Sequence, residues 1–124
     1  MQAFKRHRRG LLATAIAAGS VIASTAFAHV FPQHQSPSAG AEVAPPASVE
    51  IEFDGPLEPA FSSLNVSNSN GKQVNAAKAK VDPNDRKSIH VALPTLAPDT
   101  YTVHWAAVAA DGHRTHGDYS FKVK

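Results

Sequence analysis

The chain has no cysteine in its 124 residues. Disulfides and thiolate metal sites are therefore excluded. It has no apolar run long enough to cross a bilayer comfortably. The longest, residues 11–23 (LLATAIAAGSVIA), is shorter than the roughly 20 residues that a spanning helix needs. Convincing helical periodicity is missing from residue 29 onward, where nine prolines break the chain at short intervals. No internal repeat is visible, so one folded domain is expected. A basic surplus is missing as well, although the whole-chain charge of +2 hides this. Lys5, Arg6, Arg8 and Arg9 supply four of the twelve basic residues within the first ten positions, and all ten acidic residues lie beyond position 41. Residues 29–124 thus carry eight basic against ten acidic side chains, a formal charge of −2. That balance argues against a nucleic-acid partner, which calls for a basic patch making many phosphate contacts.

The first 28 residues read as a secretory leader. A basic start is followed by the short Ala-rich apolar run and then by Ala26-Phe27-Ala28, with small residues flanking a cut. Cleavage after Ala28 leaves residues 29–124, 96 in all, small for a domain but enough for one sandwich core. Export places the protein in an oxidising compartment, in a bacterium the periplasm or beyond.

The remainder reads as short strands and turns. Val49 to Asp54 alternates apolar and acidic residues, preceded by Pro45-Pro46 and ended by Gly55-Pro56. Leu64 to Ser67 alternates and closes on the turn Asn68-Ser69-Asn70-Gly71. Gln73 to Val81, with Lys78 and Lys80 in it and Lys72 just before it, is expected as an edge strand, since lysine discourages unwanted edge pairing. Ser88–Leu93, Thr100–Val108 and Gly117–Val123 alternate again. This spacing predicts an all-β domain, a small antiparallel Greek-key β-sandwich or barrel. The expected core is Val49, Ile51, Phe53, Leu64, Val66, Ile89, Val91, Tyr101, Val103, Trp105, Phe121 and Val123, with Trp105 as an anchor.

Beyond the leader lie six histidines: His29, His34, His90, His104, His113 and His116. His29 is the sharpest. As a new N-terminus it offers an α-amine and an imidazole Nδ1 from one residue, which close a six-membered chelate ring on a metal. The amine titrates at roughly 7.7–8.0, so a strongly Lewis-acidic ion displaces its proton near neutrality. Nitrogen pairs of this kind suit Cu(II), at the top of the divalent affinity order and tetragonal in preference. A histidine left after the cut by chance explains the same residue, because that position is loosely constrained. Asp111-Gly112-His113 is the second feature. A carboxylate and an imidazole two residues apart across a glycine can face one point, or the same residues can form an ordinary turn in which Asp111 caps the backbone. Taken together with His29, they make a metal-ligand set the better reading. His116 and His34 read as solvated, His34 in a turn, and His90 and His104 as surface residues on the polar faces of strands. Asp54 and Glu58 flank the Gly55-Pro56 turn, either as outer-sphere acids or as solvated carboxylates. Spacing supports no Ser-His-Asp arrangement, phosphate-binding glycine loop or HExxH motif.

These residues resemble the CopC/PcoC family of periplasmic copper-resistance proteins. The likeness is carried by the block from Tyr101 through His113 (YTVHWAAVAADGH), followed by Gly117 and Phe121-Lys122-Val123. His29, Ser36-Pro37, Gly40-Ala41-Glu42 and the 49–53 strand also fit. The resemblance implies a cupredoxin-like or immunoglobulin-like sandwich that binds copper without redox catalysis. It implies a Cu(II) site made of His29, Asp111 and His113. Some members add a glutamate after the strand equivalent to 49–53; that position falls here on Gly55, which leaves one coordination position unassigned. Others carry a methionine-rich loop for Cu(I), whereas the one methionine here, Met1, leaves with the leader. A Cu(II)-only protein follows. The expected function is a periplasmic, non-enzymatic, monomeric Cu(II)-binding protein that sequesters copper or delivers it, contributing to copper resistance. An inner-membrane copper transporter is its family-level partner. Two rivals are a copper-brace oxidative enzyme, which also uses an N-terminal histidine, and a structural β-sandwich with incidental histidines.

Overall fold

A computed structural model describes residues 29–124 and, ahead of them, residues 15 and 17–20. The expected leader and its cut lie almost wholly outside the described residues. Among these residues there is no helix, and eight strands carry the fold. They are β1 (Pro32–Ser36), β2 (Glu42–Val43), β3 (Ser48–Phe53), β4 (Ser63–Ser67), β5 (Lys80–Val81), β6 (Ser88–Ala92), β7 (Asp99–Val108) and β8 (Arg114–Val123). They form two four-stranded sheets, ordered β1-β3-β6-β5 and β2-β8-β7-β4. The result is the expected sandwich. All its pairings are antiparallel except one, the short β2 running parallel to β8 at a sheet edge.

The alternating strands bury one face each. On β3, Val49, Ile51 and Phe53 are buried, with Glu50 and Glu52 on the other side. On β7, Tyr101, Val103 and Trp105 are buried. All twelve expected core residues are buried, joined by Val30, Leu57, Leu93, Leu96, Ala107, Ala109 and Tyr119. The ring of Phe53 meets that of Trp105 edge-on at 5.3 Å between centroids, bridging the two sheets.

The edge strand expected over 73–81 contracts to Lys80–Val81. The Asn75 side chain interrupts the ladder: it accepts the Val66 N–H and donates to the Ala77 carbonyl, doing locally what a strand partner would do. Lys80 and Val81 do form the sheet edge, opposite His90 and Ile89. His34 is exposed as expected, but on β1, opposite Glu52, rather than in a turn. β8 starts at Arg114, three residues earlier than its alternation suggested, because residues 114–116 continue the pairing with β7 out to Val108.

Candidate metal centre

The β7–β8 hairpin projects its turn, residues 109–113, from one end of the sandwich. Ala109 and His113 close it through a backbone hydrogen bond of 2.9 Å, and Gly112 adopts a φ of 86°, the left-handed region that glycine enters without strain. The Asp111 carboxylate is held within the turn. Its Oδ1 accepts the His113 N–H at 3.0 Å and its Oδ2 lies 2.8 Å from His113 Nδ1. Asp111 is thus a backbone cap and an imidazole partner at once. A carboxylate on Nδ1 is a common arrangement behind ligating histidines, in which Nε2 is the nitrogen that meets the metal.

The start of the domain arrives at the same place. Val30 is buried in the core, and its carbonyl accepts the Thr115 hydroxyl at 2.7 Å. This fixes His29 over the hairpin turn: its ring centroid lies 5.3 Å from that of His113, and 6.2 Å from that of Phe31 on its other side. A cleft of about 370 Å³ opens here, lined by His29, Val30, Asp54, Gly55, Pro56, Ala109, Ala110 and Asp111. All three residues of the expected ligand set therefore gather at one end of the molecule. Among the described residues, however, no group of three His, Asp or Glu side chains stands in a metal-holding arrangement. In the uncut chain the His29 nitrogen is also a peptide nitrogen, and becomes an amine only on cleavage.

At Gly55, the position that the resemblance aligns with a further glutamate, a side chain would force Val30 to shift. A Cβ there would stand 2.9 Å from Val30 Cγ1. The adjacent Asp54 lines the cleft instead. Glu58 lies further along the same loop, 3.9 Å from Arg86. His116 and His90 are exposed, His116 on the outer face of β8.

The fold also assembles what spacing did not suggest. Across β4, β7 and β8, Ser67 Oγ lies 3.0 Å from His104 Nε2, and His104 Nδ1 lies 2.7 Å from Asp118 Oδ1. The order matches a hydrolytic triad, but such a serine also needs N–H donors aimed at an oxyanion. The N–H groups around it are already used: Val66 donates to Asn75, Asn68 to the Lys72 carbonyl and Ser69 to Asp99. The three residues are a cross-strand network on an exposed sheet face.

The CopC domain family profile matches residues 33–124. The chain belongs to the CopC domain family. It is 36% identical to Protein YobA of Escherichia coli strain K12 over 114 residues, 90% of this chain and 92% of that protein. It is 38% identical over 101 residues to Copper transport protein CutJ of Bacillus subtilis strain 168, covering 80% of this chain but 19% of CutJ. Among solved structures, CopC from Methylosinus trichosporium OB3b superposes with a TM-score of 0.72 at 36% identity, over 77% of this chain and 94% of that one. The methionine-rich copper resistance protein PcoC from Escherichia coli gives a TM-score of 0.70 at 31% identity, over 78% and 100%. The family is one of copper resistance and copper transport proteins.

Proposed function

We propose that the chain, once cut after Ala28, is a periplasmic Cu(II)-binding protein that sequesters copper or passes it to a membrane copper transporter. The observation that carries this reading is the meeting of His29 and His113, 84 positions apart, with ring centroids 5.3 Å apart. Cleavage supplies the amine. His29 then gives two nitrogens, His113 a third through Nε2, and Asp111 an oxygen by turning Oδ2 from His113 while Oδ1 keeps the backbone cap. Three nitrogens and one carboxylate oxygen suit a tetragonal Cu(II) ion. The lack of methionine beyond Met1, against the methionine-rich PcoC, supports a preference for Cu(II) over Cu(I). The match to about a fifth of CutJ, a protein named for copper transport, supports a transporter as the recipient.

The test is a Cu(II) titration of protein beginning at His29, followed by electron paramagnetic resonance. Tight binding with a nitrogen-rich tetragonal spectrum is expected. The same protein with one extra alanine before His29 should lose most of its affinity, because its amine is then displaced from the chelate. Equal binding by the two would rule out the amine-chelate site.

A further inference from the structure

We infer that Asp54 is a positioning residue of this site, holding the N-terminal segment so that His29 stays over His113. The inference rests on the Cu(II) reading above. Asp54 follows the last residue of β3 and grips Phe31 in both directions: its carboxylate Oδ1 accepts the Phe31 N–H at 2.9 Å, and its own N–H donates to the Phe31 carbonyl at 3.0 Å. Phe31 is two residues from His29. The residue between them, Val30, is buried and tied to the opposite sheet through Thr115. The last residues of a chain fray unless they are tied down. Here the ties are one side chain from each sheet, and Asp54 supplies the first.

Two variants of the protein beginning at His29 separate the hydrogen bond from the charge. Asp54→Ala removes the acceptor. Asp54→Asn keeps an Oδ1 for the Phe31 N–H and removes only the charge. In the metal-free protein, amide exchange at Phe31 should accelerate by at least about tenfold in Asp54→Ala, with the circular dichroism spectrum unchanged, and stay near wild type in Asp54→Asn. Cu(II) affinity, read by competition with a chromophoric chelator, should fall by about 10–100-fold in Asp54→Ala, as for other residues that orient ligands. It should return to within a few-fold of wild type in Asp54→Asn. Wild-type affinity in Asp54→Ala overturns the inference, and so does an equal loss in both variants, which would assign the effect to charge. A wild-type protein that binds no copper removes the Cu(II) reading itself, a result read from the unsubstituted protein alone.

Discussion

The hydroxyl of Tyr119 lies in the core without a hydrogen-bond partner among the described residues. The side chain is 8% exposed, and burial pushes its phenol up to about 12 from 10.0. A buried unpaired hydroxyl costs about 1–3 kcal/mol. Tyr119→Phe should therefore leave stability at pH 7 unchanged or raise it by about 1 kcal/mol, measured by urea denaturation. The pH dependence follows from the direction of the shift. The unfolded chain loses the phenolic proton first as pH rises past 10, so this group leaves stability independent of pH below 10 and lowers it progressively between pH 10 and about 12. The Phe variant should lack that part of the alkaline loss; an identical alkaline profile would mean that the ring is not held where the structure puts it. At this scale His29, Asp111 and His113 stand out in the sequence because each sits beside a landmark, an expected cut or a glycine turn. Asp54 reads from sequence as an outer-sphere acid or a solvated turn carboxylate, and its grip on Phe31 was not visible because it spans 23 positions that no local pattern connects.

Alternation located the elements with a buried face, namely β3, β4, β6, β7 and β8. It could not locate β1, whose Pro-Gln-His-Gln-Ser has no apolar rhythm and which forms a sheet edge, or the two-residue β2. It over-extended the 73–81 strand, since an asparagine side chain replacing a ladder partner leaves no trace in hydropathy. Gly117 shows what the hairpin demands beyond alternation. It pairs with Trp105 across β7 and β8, and a Cβ on it would come within 2.7 Å of Trp105 Cζ2 and 2.9 Å of Cε2. The indole lies against the glycine and cannot retreat easily, because its other side meets Phe53. Gly117→Ala should destabilise the fold by about 1–3 kcal/mol through overpacking. A changed near-ultraviolet circular dichroism signal from the single tryptophan should accompany the loss. Unchanged stability would mean that the indole has space to move that the structure does not reveal.

At the scale of the molecule, the spacing of strands and turns made the sandwich legible, while the closing of its two ends on one another entered as a pairing of His29 with Asp111 and His113 on their ligand chemistry, strengthened by the resemblance. The first described segment and the last hairpin belong to opposite sheets, and they meet because Val30 is buried beside Thr115. A Cu(II) ion that bridges those ends gains His113 and Asp111 only in the folded chain, whereas the unfolded chain keeps the His29 chelate alone, so the domain is stabilised by the difference in affinity. With Cu(II) bound about 100 times more tightly by the folded chain, and in excess of both dissociation constants, the gain is about 2.7 kcal/mol. For a domain of this size that raises the melting temperature by about 10–20 °C. The rise should shrink as pH falls below the roughly 7.7–8.0 at which an α-amine titrates, since protons then compete for the chelating nitrogen. It should be largely absent when an alanine precedes His29. Thermal melts of both proteins, with and without Cu(II) at two pH values, measure all of this. A shift of equal size in the two proteins would place the stabilising copper on histidine side chains without the terminal amine, because the added residue leaves every side chain in place and changes only that amine.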